Sequence, residues 1–126
     1  MTKRLRAGLI GLVLVGALGL AACDPGGAQA SAPSPTQDAI NFWFPGVADQ
    51  ATRVAQCESG LDPTAVSPGG GNWGLFQINS VHASQFEAVT GQPWSNVLNP
   101  YPNAQYAAWL YYNSGGWSPW SCAWAA

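Results

Sequence analysis

Positive charge is nearly missing from this sequence. Four of the 126 residues are Lys or Arg, and three of them, Lys3, Arg4 and Arg6, crowd the first six positions. Beyond these, a single Arg53 faces Asp24, Asp38, Asp49, Glu58, Asp62 and Glu87, one positive against six negative for a formal net of −5 with His82 neutral. Binding a phosphate backbone requires a dense Lys/Arg footprint, so a nucleic-acid partner is excluded. The same balance gives no long-range attraction to an anionic polymer, so contact with one must be short-range, through aromatic surfaces and hydrogen bonds. Histidine occurs once, as His82. Without Cys or Asp at ligand spacing it reads as a helix-start residue and not as a metal site, and nothing calls for a cofactor. Long apolar runs are missing too: the stretch from Ala7 to Leu20 is too short to cross a bilayer. There is no internal repeat, and the length allows one domain.

The N-terminus has the layout of an export signal, with a basic start, a short apolar run and small residues at its end. Leu20-Ala21-Ala22-Cys23 resembles the lipobox of bacterial lipoproteins. The resemblance implies cleavage after Ala22, lipid attachment to the Cys23 thiol, and anchoring to the outer face of the cell membrane, facing the wall. Residues 1–22 are then a signal peptide, and each buried methylene of the lipid contributes about 0.8 kcal/mol to anchoring. Residues 23–35 hold no large apolar side chain, which predicts a disordered tether. With Cys23 assigned to lipid, Cys57 and Cys122 remain of the three cysteines. An oxidising compartment favours joining them, a free buried pair being the alternative. Closing that loop would stabilise the fold by roughly 4 kcal/mol in the chain-entropy account.

Residues 36–126 are expected to fold. Thr36 caps a short helix to Phe44, ended by Pro45-Gly46. A second helix runs from Val47 to about Glu58, with Val47, Ala51, Val54 and Glu58 along one face and Asp49–Arg53 as an i,i+4 pair; Gly60 stops it. Pro68 to Gly71 reads as a mobile loop, and Gly74 to Ile78 as a short extended segment. A third helix spans Ser80 to Thr90, and the longest spans Asn99 to Asn113 with Ala104, Ala107, Ala108 and Tyr111 on its packing side. The Trp-rich tail from Gly115 to Cys122 is irregular. The fold class is therefore mainly α (α+β), with a small β-like element and one disulfide staple.

Glu58 is the residue that this pattern does not explain. It extends an apolar stripe at the point where the helix ends, where a carboxyl could serve as a general acid. On composition alone the stronger reading is a helix-end carboxylate, solvated or paired with Arg53. The flanking segments change that. Cys57-Glu58-Ser59-Gly60-Leu61-Asp62-Pro63, then Ala65-Val66-Ser67, then Gly74-Leu75-Phe76-Gln77-Ile78-Asn79, resemble the soluble lytic transglycosylases and the wider lysozyme-like superfamily. Asn99-Pro100, Asn103-Ala104 and Tyr112-Asn113 before Gly115 resemble that family's later helix and its Tyr-Asn element. The Cys57/Cys122 pair and the Gly-Trp-Ser-Pro-Trp-Ser-Cys ending look like a small actinobacterial-type branch related to resuscitation-promoting factors.

The resemblance implies a lysozyme-like domain that cleaves peptidoglycan between N-acetylmuramic acid and N-acetylglucosamine. It implies Glu58 as catalytic acid, Ser67 and Gln77 as cleft residues, and Tyr112 (or Tyr111, by register) as hydrogen-bond donor to the catalytic carboxyl. The alternative is a membrane-anchored, wall-binding lipoprotein with little or no catalysis. Asp62 before Pro63 reads as an Asx-turn residue and Glu87 as solvated, so neither supplies the second carboxylate of a two-carboxylate glycosidase. Of seven tryptophans, Trp43 and Trp109 read as core and Trp73 as a sugar-stacking candidate; Trp117 and Trp120 are weaker candidates. The expected partners are glycan strands and, through lipid, the membrane; the expected state is a monomer.

Overall fold

A computed structural model describes residues 31–126. The expected signal peptide, the lipidated Cys23 and most of the tether lie outside the described residues. Four α-helices form the body: α1 (Pro35–Trp43), α2 (Ala48–Ser59), α3 (Ala83–Thr90) and α4 (Pro100–Ser114). Two short strands, β1 (Asn72–Trp73) and β2 (Ile78–Asn79), pair antiparallel with Trp73 opposite Ile78. The protein is thus mainly helical with a small β element, as expected.

Each helix starts and stops on a local signal. Ser34, not Thr36, caps α1: its Oγ accepts from Gln37 N at 3.2 Å, and Pro35 occupies the first turn, where its missing N–H costs nothing. Gly60, Gly91 and Gly115 end α2, α3 and α4 in the left-handed conformation that glycine adopts without strain. Asn99 caps α4 by accepting from Tyr101 N at 3.0 Å. The expected third helix is two pieces, a 3₁₀ turn over Ser80–His82 and then α3. A further 3₁₀ segment, Trp94–Leu98, was not anticipated; the Glu87 carboxylate accepts from its Trp94 N–H at 2.8 Å, so Glu87 is a cap and not merely solvated.

Three other expectations are corrected. Of Gly74 to Ile78 only Ile78 is extended: Gly74–Gln77 is the turn between β1 and β2, with Leu75 and Phe76 fully buried at its tip. Pro68 to Gly71 is tied down, with Gly70 N bonded to Ser67 O at 2.8 Å and the Trp73 indole to Gly70 O at 2.8 Å. Arg53 spends its Nε on the Ala125 carbonyl at 2.9 Å, which joins α2 to the C-terminal turn. The local i,i+4 rule does not foresee a partner so far along the chain.

The core is aromatic. Phe44 stacks on Trp117 at 5.3 Å and lies 5.2 Å from Phe76, and Trp120 meets Trp117 edge-on at 5.3 Å. Trp43 and Trp109 pack against the core as expected but are only partly buried, and Trp117 and Trp120 are the more deeply buried pair. The reason is tertiary. Cys57 and Cys122 are joined, and the staple lays the tail over α2 and the hairpin. Among the described residues no helix is long and apolar enough to cross a membrane.

Candidate active site

The site is assembled from the end of α2, the hairpin turn and the tail. Ser59 and Glu58 divide the work of the last turn of α2. Ser59 Oγ donates to the Leu75 carbonyl at 2.7 Å, fastening the hairpin tip to the helix. The half-buried Glu58 carboxylate faces a cleft instead. Its Oε1 accepts from Ser121 Oγ and from Cys122 N, both at 2.9 Å. Those donors lie more than sixty positions along the chain and are held beside α2 by the Cys57–Cys122 bond. A rigid backbone donor plus a hydroxyl fixes one carboxylate oxygen and leaves Oε2 for a transferred proton.

The hairpin turn supplies the opposite wall. Burying Leu75 and Phe76 takes their backbone groups from water, and side chains from three directions satisfy them. Asn103 Oδ1 accepts from Phe76 N at 2.9 Å, Trp120 Nε1 donates to Phe76 O at 3.0 Å, and Ser59 holds Leu75 O. With the tip pinned, Gln77 takes a left-handed conformation (φ 49°), unusual for a residue with a side chain. Its Nε2 donates to Gly74 O at 3.0 Å and Ala65 O at 3.2 Å, so its Oε1 remains for a ligand.

Glu58, Gln77, Asn72, Pro119, Trp120 and Ser121 enclose a cavity of about 190 Å³. A second cavity of about 200 Å³ shares Asn72, Gln77, Pro119 and Trp120 and adds His82 and Leu110, so the two form one cleft leading away from Glu58. Its walls offer the side-chain amides of Asn72 and Gln77 and the Trp120 indole, groups that make short-range contacts. A larger hollow of about 470 Å³ between Gly46 and Arg53 lies on the first turns of α2 and contains none of these residues.

Expected site residues divide into two groups. Glu58 and Gln77 come together in the cleft. Ser67 does not line it: its Oγ accepts from Asn72 N at 3.0 Å and so sets the position of Asn72, which does. Trp73 packs edge-on against Trp94 at 6.4 Å and is absent from the cleft lining. Trp120 stands there instead. Tyr112 is 56% exposed and the Glu58 carboxylate takes its hydrogen bonds from Ser121 and Cys122, so the expected tyrosine donor is replaced. Tyr111 packs on Phe44 and Trp117.

Neither further acidic candidate lines the cleft. Asp62 forms the expected Asx turn, accepting from Thr64 Oγ1 and Thr64 N at 2.8 Å each, and these two bonds hold its carboxyl below the usual carboxylate range. Glu87 caps the Trp94 segment. His82 ends its 3₁₀ turn, packs on Tyr106 at 5.8 Å and lines the far part of the cleft. Among the described residues no three His, Cys, Asp or Glu side chains cluster as metal ligands. Asn72 and Ser121 line the cleft without having been expected there, and Trp120 takes the place expected of Trp73. The signal for Ser121 was its position beside Cys122; Asn72 carried none.

Residues 47–126 match the family model of the Transglycosylase SLT domain. Searches of curated proteins and of solved structures return no match. The matched segment holds Glu58, the whole hairpin, α4 and the stapled tail, and it spans more than half of the chain. The chain therefore belongs to the transglycosylase SLT domain family of the lysozyme-like superfamily, whose general function is lytic-transglycosylase-like action on the glycan strands of peptidoglycan.

Proposed function

We propose that Glu58 is the general acid, and then the base, of a glycosidase that cleaves between N-acetylmuramic acid and N-acetylglucosamine. The observation that carries this reading is its position in the cleft, with Oε1 fixed by Ser121 and Cys122 and no other carboxylate in the lining. Glu58 gives its proton to the glycosidic oxygen, and the bond from that oxygen to the sugar C1 breaks. The substrate's own 2-acetamido oxygen stabilises the positive charge at C1, which replaces the missing second carboxylate. The Glu58 carboxylate then removes a proton from the muramoyl 6-hydroxyl, whose oxygen closes on C1 as a 1,6-anhydro ring. If water enters instead, the product is an ordinary reducing end. Gln77 and Asn72 orient the acetamido groups, and Trp120 supplies the apolar face for a sugar ring. Ser67 acts through Asn72.

The test is mass spectrometry of peptidoglycan incubated with the purified protein. Soluble muropeptides are expected, and Glu58→Gln should reduce their release by about 10²-fold or more. Absence of muropeptides from the unaltered protein would leave a wall-binding protein in place of an enzyme. Export and anchoring through Cys23 belong to the same reading. Cys23→Ala should move the protein from the membrane fraction to the soluble one, and unchanged partitioning would remove the lipoprotein assignment.

A further inference from the structure

A second pocket, of about 280 Å³, opens where the C-terminal ends of α1 and α3 meet the first turns of α4. It shares no residue with the Glu58 cleft. Tyr101 on its rim and Leu110 in the cleft sit nine positions apart on α4, about 13 Å along the axis and on opposite faces. Trp43, which it contains, precedes the segment matched by the family.

The lining is chemically uniform. Trp43 and Tyr101 offer aromatic rings, and Gln92, Asn99 and Gln105 offer side-chain amides; no ionisable acid or base other than the tyrosine takes part. Tyr101 is 43% exposed, and the neighbouring Phe42, ring to ring with Trp43 at 4.9 Å, is 66% exposed. Trp43 adds a separate observation. Its indole N–H is buried and has no hydrogen-bond partner among the described residues. That atom has no accessible surface, so a ligand in the open pocket meets the indole through its ring and not through this donor.

We infer that this pocket is a second, non-catalytic binding site for a neutral N-acetylated saccharide. Flat apolar rings suit the C–H faces of a pyranose, and the amides suit its hydroxyl and acetamido groups. A peptide with charged side chains finds no ionic partner there. A domain whose charge does not attract its polymer gains from a second grip on the same strand or a neighbouring one, because a tethered second contact raises the effective concentration at the first. This inference concerns binding alone and does not depend on cleavage by Glu58.

Chemical-shift mapping of the ¹⁵N-labelled protein with the N-acetylglucosamine trimer tests it. Two separate sets of resonances should move: the cleft set, including the Gln77 amide and Trp120 indole, and a pocket set comprising the Trp43 indole and the amides of Gln92, Asn99 and Gln105. The double variant Tyr101→Ala, Gln105→Ala should lose the pocket set and keep the cleft set, with the buried Phe86 and Val97 signals unmoved as proof of folding. Shifts confined to the cleft would overturn the inference, as would a pocket set that survives the double variant or that responds to a stem peptide and not to the sugar. A pocket set without a cleft set would uphold the inference and count against the proposed cleavage.

Discussion

Taking the hairpin tip out of water strands its backbone N–H and C=O groups unless side chains reach them. Asn103, fully buried on α4, accepts from Phe76 N in the tip and also donates to Trp73 O of β1 at 3.1 Å and to Val97 O of the 3₁₀ segment at 2.8 Å. Replacing it with the isosteric but apolar Leu leaves those groups unpaired, at about 1–3 kcal/mol each before relaxation. Asn103→Leu should therefore lower the urea midpoint by more than any surface substitution and disorder Gln77 with it. Gly74 is constrained by the same residue. At φ 77° a side chain is already strained, and an added Cβ would collide with Asn103 Nδ2 and lie 2.6 Å from Val97 O. Gly74→Ala should destabilise the domain by at least about 2 kcal/mol, read as a fall in melting temperature. At this scale the sequence was partly legible. Asn103-Ala104 belonged to the family pattern, but nothing local says that its amide serves a turn about thirty residues earlier.

At the scale of elements, the end of α2 depends on the tail. The disulfide closes a loop of 65 residues, so reducing it should cost roughly 4 kcal/mol by loop entropy. The more specific loss is local, because Ser121 and Cys122 supply the hydrogen bonds to Glu58. In a reductant titration, peptidoglycan cleavage should fall before the helical circular dichroism does. Coincident loss of the two would show that the staple holds the whole domain and not the site in particular. The helices were readable because their signals are local: Gly60, Gly91 and Gly115 mark three ends, and apolar spacing gave α2 and α4. The hairpin tip is not legible as a turn, because an apolar run looks the same in a buried strand and in a turn inserted into a core.

For the molecule as a whole, charge and burial set how it responds to solution conditions. With Arg53 as the sole Lys or Arg among the described residues, the domain repels an anionic wall polymer at long range. Raising ionic strength from low values towards about 0.15 M shortens that repulsion and should increase the rate of wall digestion. A basic-patch enzyme would show the opposite trend. Stability should fall in alkali for a different reason. Tyr106 is fully buried and burial pushes its hydroxyl above the ordinary value of 10.0. The unfolded chain then ionises first, so its contribution is intact below about pH 10 and is lost as pH rises towards the folded value. Denaturant midpoints across that window should drop for the native chain and stay flatter for Tyr106→Phe.

The sequence alone determined the fold class, most helix boundaries and the family, and favoured the Cys57–Cys122 pairing that the structure holds, because caps, helical periodicity and motif spacing are written over a few residues at a time. Tertiary structure decided what surrounds Glu58. It brought Ser121 and Cys122 to the carboxylate, put Trp120 in the cleft in place of Trp73, and buried the Gly74–Gln77 turn under Asn103. Those contacts join segments that are distant along the chain. Their geometry follows from how α2, α4 and the tail pack on one aromatic core, a condition that no single stretch of sequence contains.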